Sequence, residues 1–136
     1  MSAYAWPYSE YEKAYSEYKN QYGEKTAVFM KMGSFIEIYD SIDPRTNVSA
    51  CNCREITECM GIRPLIKEGA GPEGRDGFFA GVPTRCCVPY YWKLIDNGWT
   101  IILVEIIKDE NSMKRCGRGR RLNLPSAESL ICGGKT

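Results

Sequence analysis

Two short alternating runs, Thr26 to Met32 and Phe35 to Tyr39, are separated by only Gly33-Ser34. A spacer of two residues that includes a glycine joins such runs as a tight antiparallel hairpin, with room for a turn or bulge. In the first run Val28 and Met30 alternate with Phe29 and Lys31. In the second, Ile36 and Ile38 take one face and can enter a core, while Phe35 and Glu37 share the other. The hairpin therefore holds Phe35 beside its tip. An exposed ring next to a carboxylate offers a stacking surface and a hydrogen-bond acceptor, the equipment needed to probe a nucleobase. A strand that merely keeps one Phe outside explains the same pattern.

Upstream, Tyr4, Tyr8, Tyr11, Tyr15, Tyr18 and Tyr22 recur at alternating spacings of four and three, the period of one helix face. The spacing predicts a helix of about 15 residues, with Pro7 in its first turn, Ser9 or Trp6 near the cap and Gly23 as the stop. Such a stripe packs on a sheet with its hydroxyls at the rim; the other reading is a stacking platform for single-stranded nucleic acid. Downstream, Asp43 to Met60 reads as a helix capped by Asp43, opened by Pro44 and ended by Gly61. The glycines and charges of Ile62 to Gly77 suggest a mobile loop or a long hairpin connection. Phe78 to Val82 reads as a strand ending at Pro83, and Thr84 to Asn97 as a helix that stops at Gly98 and whose start Pro89 shifts toward Val88. The β-branched run Trp99 to Ile107, interrupted by Glu105, predicts a central buried strand. Beyond Lys108, Cys116 to Arg121 reads as exposed and Leu122 to Thr136 as weakly structured. The expectation is one domain over 1–110, with a basic, weakly structured tail over 111–136.

A chain of 136 residues can bury a core without staples, since a domain of this size buries roughly two-thirds of its unfolded surface. Its net charge of +1 excludes whole-molecule electrostatics as a source of nucleic-acid affinity. Basic character is local, in Lys114, Arg115, Arg118, Arg120 and Arg121, whereas the first residues carry Glu10, Glu12 and Glu17 against Lys13 and Lys19. Seven cysteines, an odd number, with no leader-like opening, point to reduced thiols and an intracellular protein. No apolar run approaches a membrane span.

The chain has no His, and Cys51, Cys53, Cys59 and Cys86-Cys87 form no paired C-x-x-C knuckles, so neither a metal nor a cofactor is expected. Missing His also removes Ser/His and Cys/His hydrolysis. Gly133-Gly134-Lys135-Thr136 is not a phosphate loop, because Ser129 stands where the first glycine belongs. A metal-dependent nuclease built on Glu37, Asp40 and Glu105 remains the one catalytic alternative. It lacks the acid-x-Lys spacing in the strands, and Glu17-x-Lys19 lies on a helix where the side chains diverge.

The string Phe29-Met30-Lys31-Met32-Gly33-Ser34-Phe35-Ile36-Glu37-Ile38-Tyr39 resembles the opening of the mismatch-recognition domain of MutS-type DNA mismatch-repair proteins. Ala80-Gly81-Val82-Pro83, followed by Tyr90, Lys93-Leu94 and Gly98, is similar to that domain's A-G-[IV]-P turn and helix. Val104-Glu105-Ile106 is similar to its next strand. The resemblance covers roughly residues 15 to 110 and implies an α/β fold of the α+β type, a mixed central sheet of about five to six strands flanked by about three helices.

It further implies that Phe35 inserts from the minor groove and stacks on a mispaired base while Glu37 hydrogen-bonds that base. Lys31 and Lys67 are the expected phosphate contacts, with Met32 and Phe79 lining the groove, and Ser34 and Arg85 complete the DNA-binding set. The implied partner is double-stranded DNA with a mismatch or small loop, alongside other repair proteins or a longer MutS-type chain, in whichever compartment handles DNA. The ATPase of the family is not among these residues, so no catalysis is expected. Ser34 stands where the family has an acid, Glu68 where it has a basic residue, and Arg85 where it has a His. The Gly69 to Gly77 insertion is also longer than the family's. These departures motivate the alternative, a protein-interaction or structural module that keeps the fold without DNA readout.

Overall fold

The computed structural model describes residues 6–107 and 115–122, the side chains of Trp6, Met32, 106–107 and 115–122 excepted. In chain order the elements are α1 (Trp6–Tyr22), β1 (Thr26–Met32), β2 (Phe35–Ile42), α2 (Cys53–Met60), β3 (Leu65–Lys67), β4 (Asp76–Pro83), α3 (Cys87–Asp96), β5 (Thr100–Ile107) and β6 (Arg115–Leu122). The strands form one six-stranded sheet in the order β3-β4-β2-β1-β5-β6. The β1–β5 pair is parallel and the other pairs are antiparallel. This is the mixed sheet with three helices that the sequence implied.

The apolar residues of β1 explain why it is central. Ala27, Val28, Phe29 and Met30 are all buried, so both faces of the strand are covered. On one face α1 lays Tyr8 and Tyr11 against Tyr39 of β2, with ring centroids 5.3 and 6.4 Å apart. On the other, Tyr91 of α3 packs on Phe29 at 5.6 Å, and α2 packs on α3. The tyrosine stripe is thus a packing face, but its hydroxyls do not all reach the rim: that of Tyr11 is fully buried and donates to the Val28 carbonyl at 2.6 Å.

That bond sits where β1 and β2 part. Their ladder runs only over Met30↔Glu37, Lys31↔Ile36 and Met32↔Phe35. Continued in register it would set Val28 opposite Tyr39, and there side chains take over: Tyr11 bonds the Val28 carbonyl, and the Cys53 thiol lies 3.3 Å from the Tyr39 carbonyl. Next to them the buried Asp40 carboxylate accepts from the N–H groups of Ser41 (2.7 Å), Cys51 (2.8 Å) and Cys53 (3.3 Å).

Asp40 also explains why the helix expected over Asp43 to Met60, opened by Pro44, starts nine residues late, at Cys53. Asp43 does form a turn, its carboxylate accepting from Arg45 N at 2.9 Å, but Asn47 is left-handed (φ 61°) and the turn cannot propagate. The chain instead folds back through an Ile42↔Ser49 bridge, and α2 begins at Cys53, whose N–H is held by Asp40. Asn52 makes no side-chain cap bond, whereas Gly61 ends the helix in the left-handed conformation as expected.

Elsewhere the structure sharpens two expectations and corrects two others. Of the two readings of Ile62 to Gly77, the hairpin connection is the one found: Leu65–Lys67 pairs antiparallel with β4, and Pro72–Gly74 makes a 3₁₀ turn between them. The segment Thr84 to Asn97 splits into a 3₁₀ turn, Thr84–Cys86, and α3 from Cys87, next to the start at Val88 that Pro89 suggested; Pro89 lies in the first helical turn, where its missing N–H costs nothing. Within the expected tail 111–136, Arg115–Leu122 pairs with β5 as an edge strand; 111–114 and 123–136, including Lys114 and Gly133 to Thr136, lie outside the described residues. The expectation of uniformly reduced thiols is corrected at Cys87, which is disulfide-bonded, whereas Cys51, Cys53, Cys59 and Cys86 are free.

Asp40→Ala leaves three buried N–H groups without acceptors, at about 1–3 kcal/mol each; we expect a loss of at least about 3 kcal/mol, read by urea denaturation. Burial outweighs the N–H bonds and pushes the Asp40 carboxyl up to about 6 from 3.8. Its raised folded value means that protonation stabilises the fold, fully below pH 3.8 and progressively less as the pH rises through about 6. Relative to Asp40→Asn, which cannot titrate, the parent protein should gain stability on acidification across that window.

Candidate nucleic-acid interface

Gly33 (φ 64°) and Ser34 turn the chain between β1 and β2, a conformation that favours glycine at the first position. Phe35 follows at once. Its backbone is laddered on both sides, to Met32 and to Pro83, yet 47% of its surface is exposed. The tip is braced further by the Thr84 N–H, which donates to the Ser34 carbonyl at 2.7 Å. An aromatic ring thus stands out from a stiff three-strand edge.

Glu37 lies two residues inward on the same face and is half-buried. Its Oε1 accepts from the Tyr39 hydroxyl at 2.6 Å, and Tyr39 is itself fixed by the rings of Tyr8, Tyr11 and Phe79. Burial raises the Glu37 carboxyl above its ordinary value, and the Tyr39 bond works the other way by favouring the ionised form. Burial first, then that same bond, pushes the Tyr39 hydroxyl far up, so it stays a donor. Gly81 sits opposite Glu37 across the β2–β4 ladder. A Cβ at Gly81 would stand 3.1 Å from Glu37 Cγ and 3.2 Å from the Ile36 carbonyl, so only glycine leaves the flank of the carboxylate open.

Of the residues expected to bind DNA, Phe35, Glu37 and Ser34 share the tip, and the exposed Arg85 adjoins it in the turn after β4. Met32 faces Phe35 in the ladder, and its side chain lies outside the described part. Lys31 is near the tip but pairs with Ile36 and so projects to the opposite face. Lys67 and Phe79 are not brought to the wedge. Lys67 pairs with Gly77, opposite Ser41, six residues along β2 from Phe35 and about 20 Å away. Phe79 pairs with Tyr39, about 14 Å from Phe35, where its ring packs on that of Tyr39 at 5.2 Å.

The nuclease trio does not assemble either: Asp40 and Glu105 take the face opposite Glu37, and Asp40 is buried and bound by backbone. Tyr39 and Gly81 are the site residues that the reading of local motifs passed over. A signal for Tyr39 was present, since the period of two already sets it on the face of Phe35 and Glu37. Among the described residues no helix is long and apolar enough to cross a membrane. No family model matches the chain, and no curated protein matches it significantly.

Removing the Tyr39 hydroxyl withdraws the one bond that favours the Glu37 carboxylate. Tyr39→Phe should therefore move the Glu37 carboxyl still further above its ordinary value, measured by a ¹³C NMR titration of the side chain; a lower or unchanged midpoint contradicts the assignment.

Proposed function

We propose that this chain is a non-catalytic DNA-binding domain that senses mismatched or bulged duplex, with Phe35 as the wedge and Glu37 as its hydrogen-bonding partner on the exposed base. One observation carries the reading: a half-exposed phenyl ring on a doubly laddered tip, with a carboxyl held beside it on the same face. A wedge of this kind must unstack a base step, and a mispair lowers that cost, so the domain reads deformability rather than sequence. The likeness of Phe29 to Tyr39 and of Ala80 to Pro83 to the MutS mismatch-recognition domain supports the same assignment. Arg85 is the phosphate contact nearest the wedge. Lys31 and Lys67, if they touch DNA, do so away from it.

A protein-interaction module is the second reading, favoured by the free edge strand β3, where Leu65 and Ile66 are 61% and 56% exposed. The two part on salt. Contacts to phosphate weaken steeply as salt rises, whereas an apolar edge does not.

The test is fluorescence anisotropy with a labelled duplex carrying a single mismatch or a one-base bulge, against its paired control. The distorted duplex should bind more tightly, and Phe35→Ala should erase the difference. Loss of one base stack is worth about 1–3 kcal/mol, or about five- to 150-fold in Kd. Equal affinity for both duplexes, or discrimination that survives Phe35→Ala, overturns the proposal.

A further inference from the structure

We infer that Arg63 contacts a phosphate of the bound duplex, so that the DNA crosses β4 toward the β3 edge. The inference rests on the DNA-binding function proposed for the chain and adds a contact that no motif of the sequence marks. Its basis is the place of Arg63 in the sheet and the state of its side chain.

Strand β4 pairs with β2 through Gly81↔Glu37 and with β3 through Leu65↔Phe79. Continued by two residues, the β3–β4 register sets Arg63 opposite Gly81, in line with Glu37 and on the same face of the sheet. Two local facts keep the chain extended there. Pro64 disfavours the helical region at the residue before it, and burial alternates: Ile62 packs against the core and Pro64 is half-buried, while Arg63 and Leu65 are exposed. Two strand spacings separate Arg63 from Glu37, about 10 Å between Cα atoms, and Phe35 lies about 12 Å from Arg63. Gly81 is exposed and puts no side chain between them, so this part of β4 is open to a backbone lying across it.

The state of the arginines points the same way. The arginines with described side chains are Arg45, Arg54, Arg63, Arg75 and Arg85. Arg45 is paired with Asp43 at 3.6 Å, Arg54 donates to Asn47 Oδ1 at 2.7 Å, and Arg75 is paired with Glu12 at 3.8 Å. The side chains of Arg63 and Arg85 have neither an ion pair nor a hydrogen bond among the described residues. These two unengaged guanidinium groups are the two that border the reading face, Arg85 in the turn beyond Phe35 and Arg63 to its side. A guanidinium has donors only, in a planar fork that fits phosphate oxygens. A ring that enters through the minor groove has a phosphodiester wall on either hand, and these two groups are placed to meet it. The neighbouring strand β1 offers no such group on this face, because Lys31 projects to the other. The free cations thus draw the duplex toward β3.

The experiment is fluorescence anisotropy of the full chain with the mismatched and the paired duplex over a salt series. One phosphate contact contributes about 0.9 to the slope of log K against log salt. Arg63→Gln should reduce the slope by that amount, so that raising the salt about fourfold costs the variant about 3.5-fold less affinity than the parent protein. It should weaken both duplexes alike and keep the preference between them, since a phosphate contact positions the duplex without reading it. The melting temperature should hold, because the side chain has no partner to lose. Arg54→Gln removes the same charge from the start of α2, where Asn47 already engages it, and should leave the slope as it is. A slope unchanged by Arg63→Gln, an equal fall with Arg54→Gln, or no binding of either duplex overturns the inference. Its failure is separable from that of mismatch sensing: equal affinity for the two duplexes with a slope that depends on Arg63 upholds the contact and removes the wedge, whereas discrimination erased by Phe35→Ala with a slope indifferent to Arg63 does the reverse.

Discussion

The buried carboxylate of Asp40 is the point on which the arrangement turns. Four segments meet there: α1 through Tyr11, β1 through the Val28 carbonyl, β2 through Asp40 itself, and the start of α2 through Cys51 and Cys53. The hairpin that begins at Gly33-Ser34 would otherwise run on as a two-stranded ribbon, a form that is marginal by itself. Instead its strands part after three residue pairs, and the opened backbone is satisfied by a hydroxyl, a thiol and a carboxylate. Burying these groups is tolerable only because each has a partner. Cys51 and Cys53 are correspondingly inert: burial, reinforced by the nearby carboxylate, drives both thiols far above their ordinary range.

The parting at the inner end makes the outer end the stiff one. All three β1–β2 pairs lie at the tip, β4 supports β2 from Phe35 to Ile42, and the Thr84–Ser34 bond ties in the turn that carries Arg85. A ring presented on backbone already ordered loses little further freedom when it inserts into a partner. The inward neighbour is held by a different device, since Glu37 depends on Tyr39, and Tyr39 on α1. Helix and tip are therefore mechanically joined, although no residue of α1 was expected to bear on the site.

What was legible in the sequence is what rests on local period and local turn chemistry. The tyrosine spacing placed α1, the Gly33-Ser34 spacer placed the tip, and the β-branched run placed β5, because each of these signals is contained in the segment it describes. The helix expected from Asp43 failed for the opposite reason. Its start is set by Asp40, which precedes it by thirteen residues, and by one left-handed Asn47, neither of which a capping pattern records. Strand β3 was hidden because three exposed residues owe their form entirely to pairing with β4. At the site, Phe35 and Glu37 were readable from alternation, whereas the misplacement of Lys67 and Phe79 follows from register: the β2–β4 pairing sets how far along the sheet each residue lies, and nothing in the β4 motif reveals that offset.

Register also constrains how the proposed interface gains affinity. With a net charge of +1, and with Lys31 and Lys67 displaced from the wedge, Arg85 is the one expected phosphate contact left at the tip. Counterion release at the wedge itself is then small, and general attraction to duplex is weak. Under that condition discrimination has to come from the difference in unstacking cost between a mispaired and a paired step, a term that does not depend on phosphate contacts. The same condition bears on Glu37. An ionised carboxylate beside the wedge opposes the approach of a polyanion, and burial, by raising its pKa, reduces that opposition while Tyr39 partly restores it. Under the proposed function, the balance between burial and one hydroxyl bond sets how much negative charge stands beside Phe35, which makes the buried Tyr39 the residue through which the packing of α1 reaches the proposed interface.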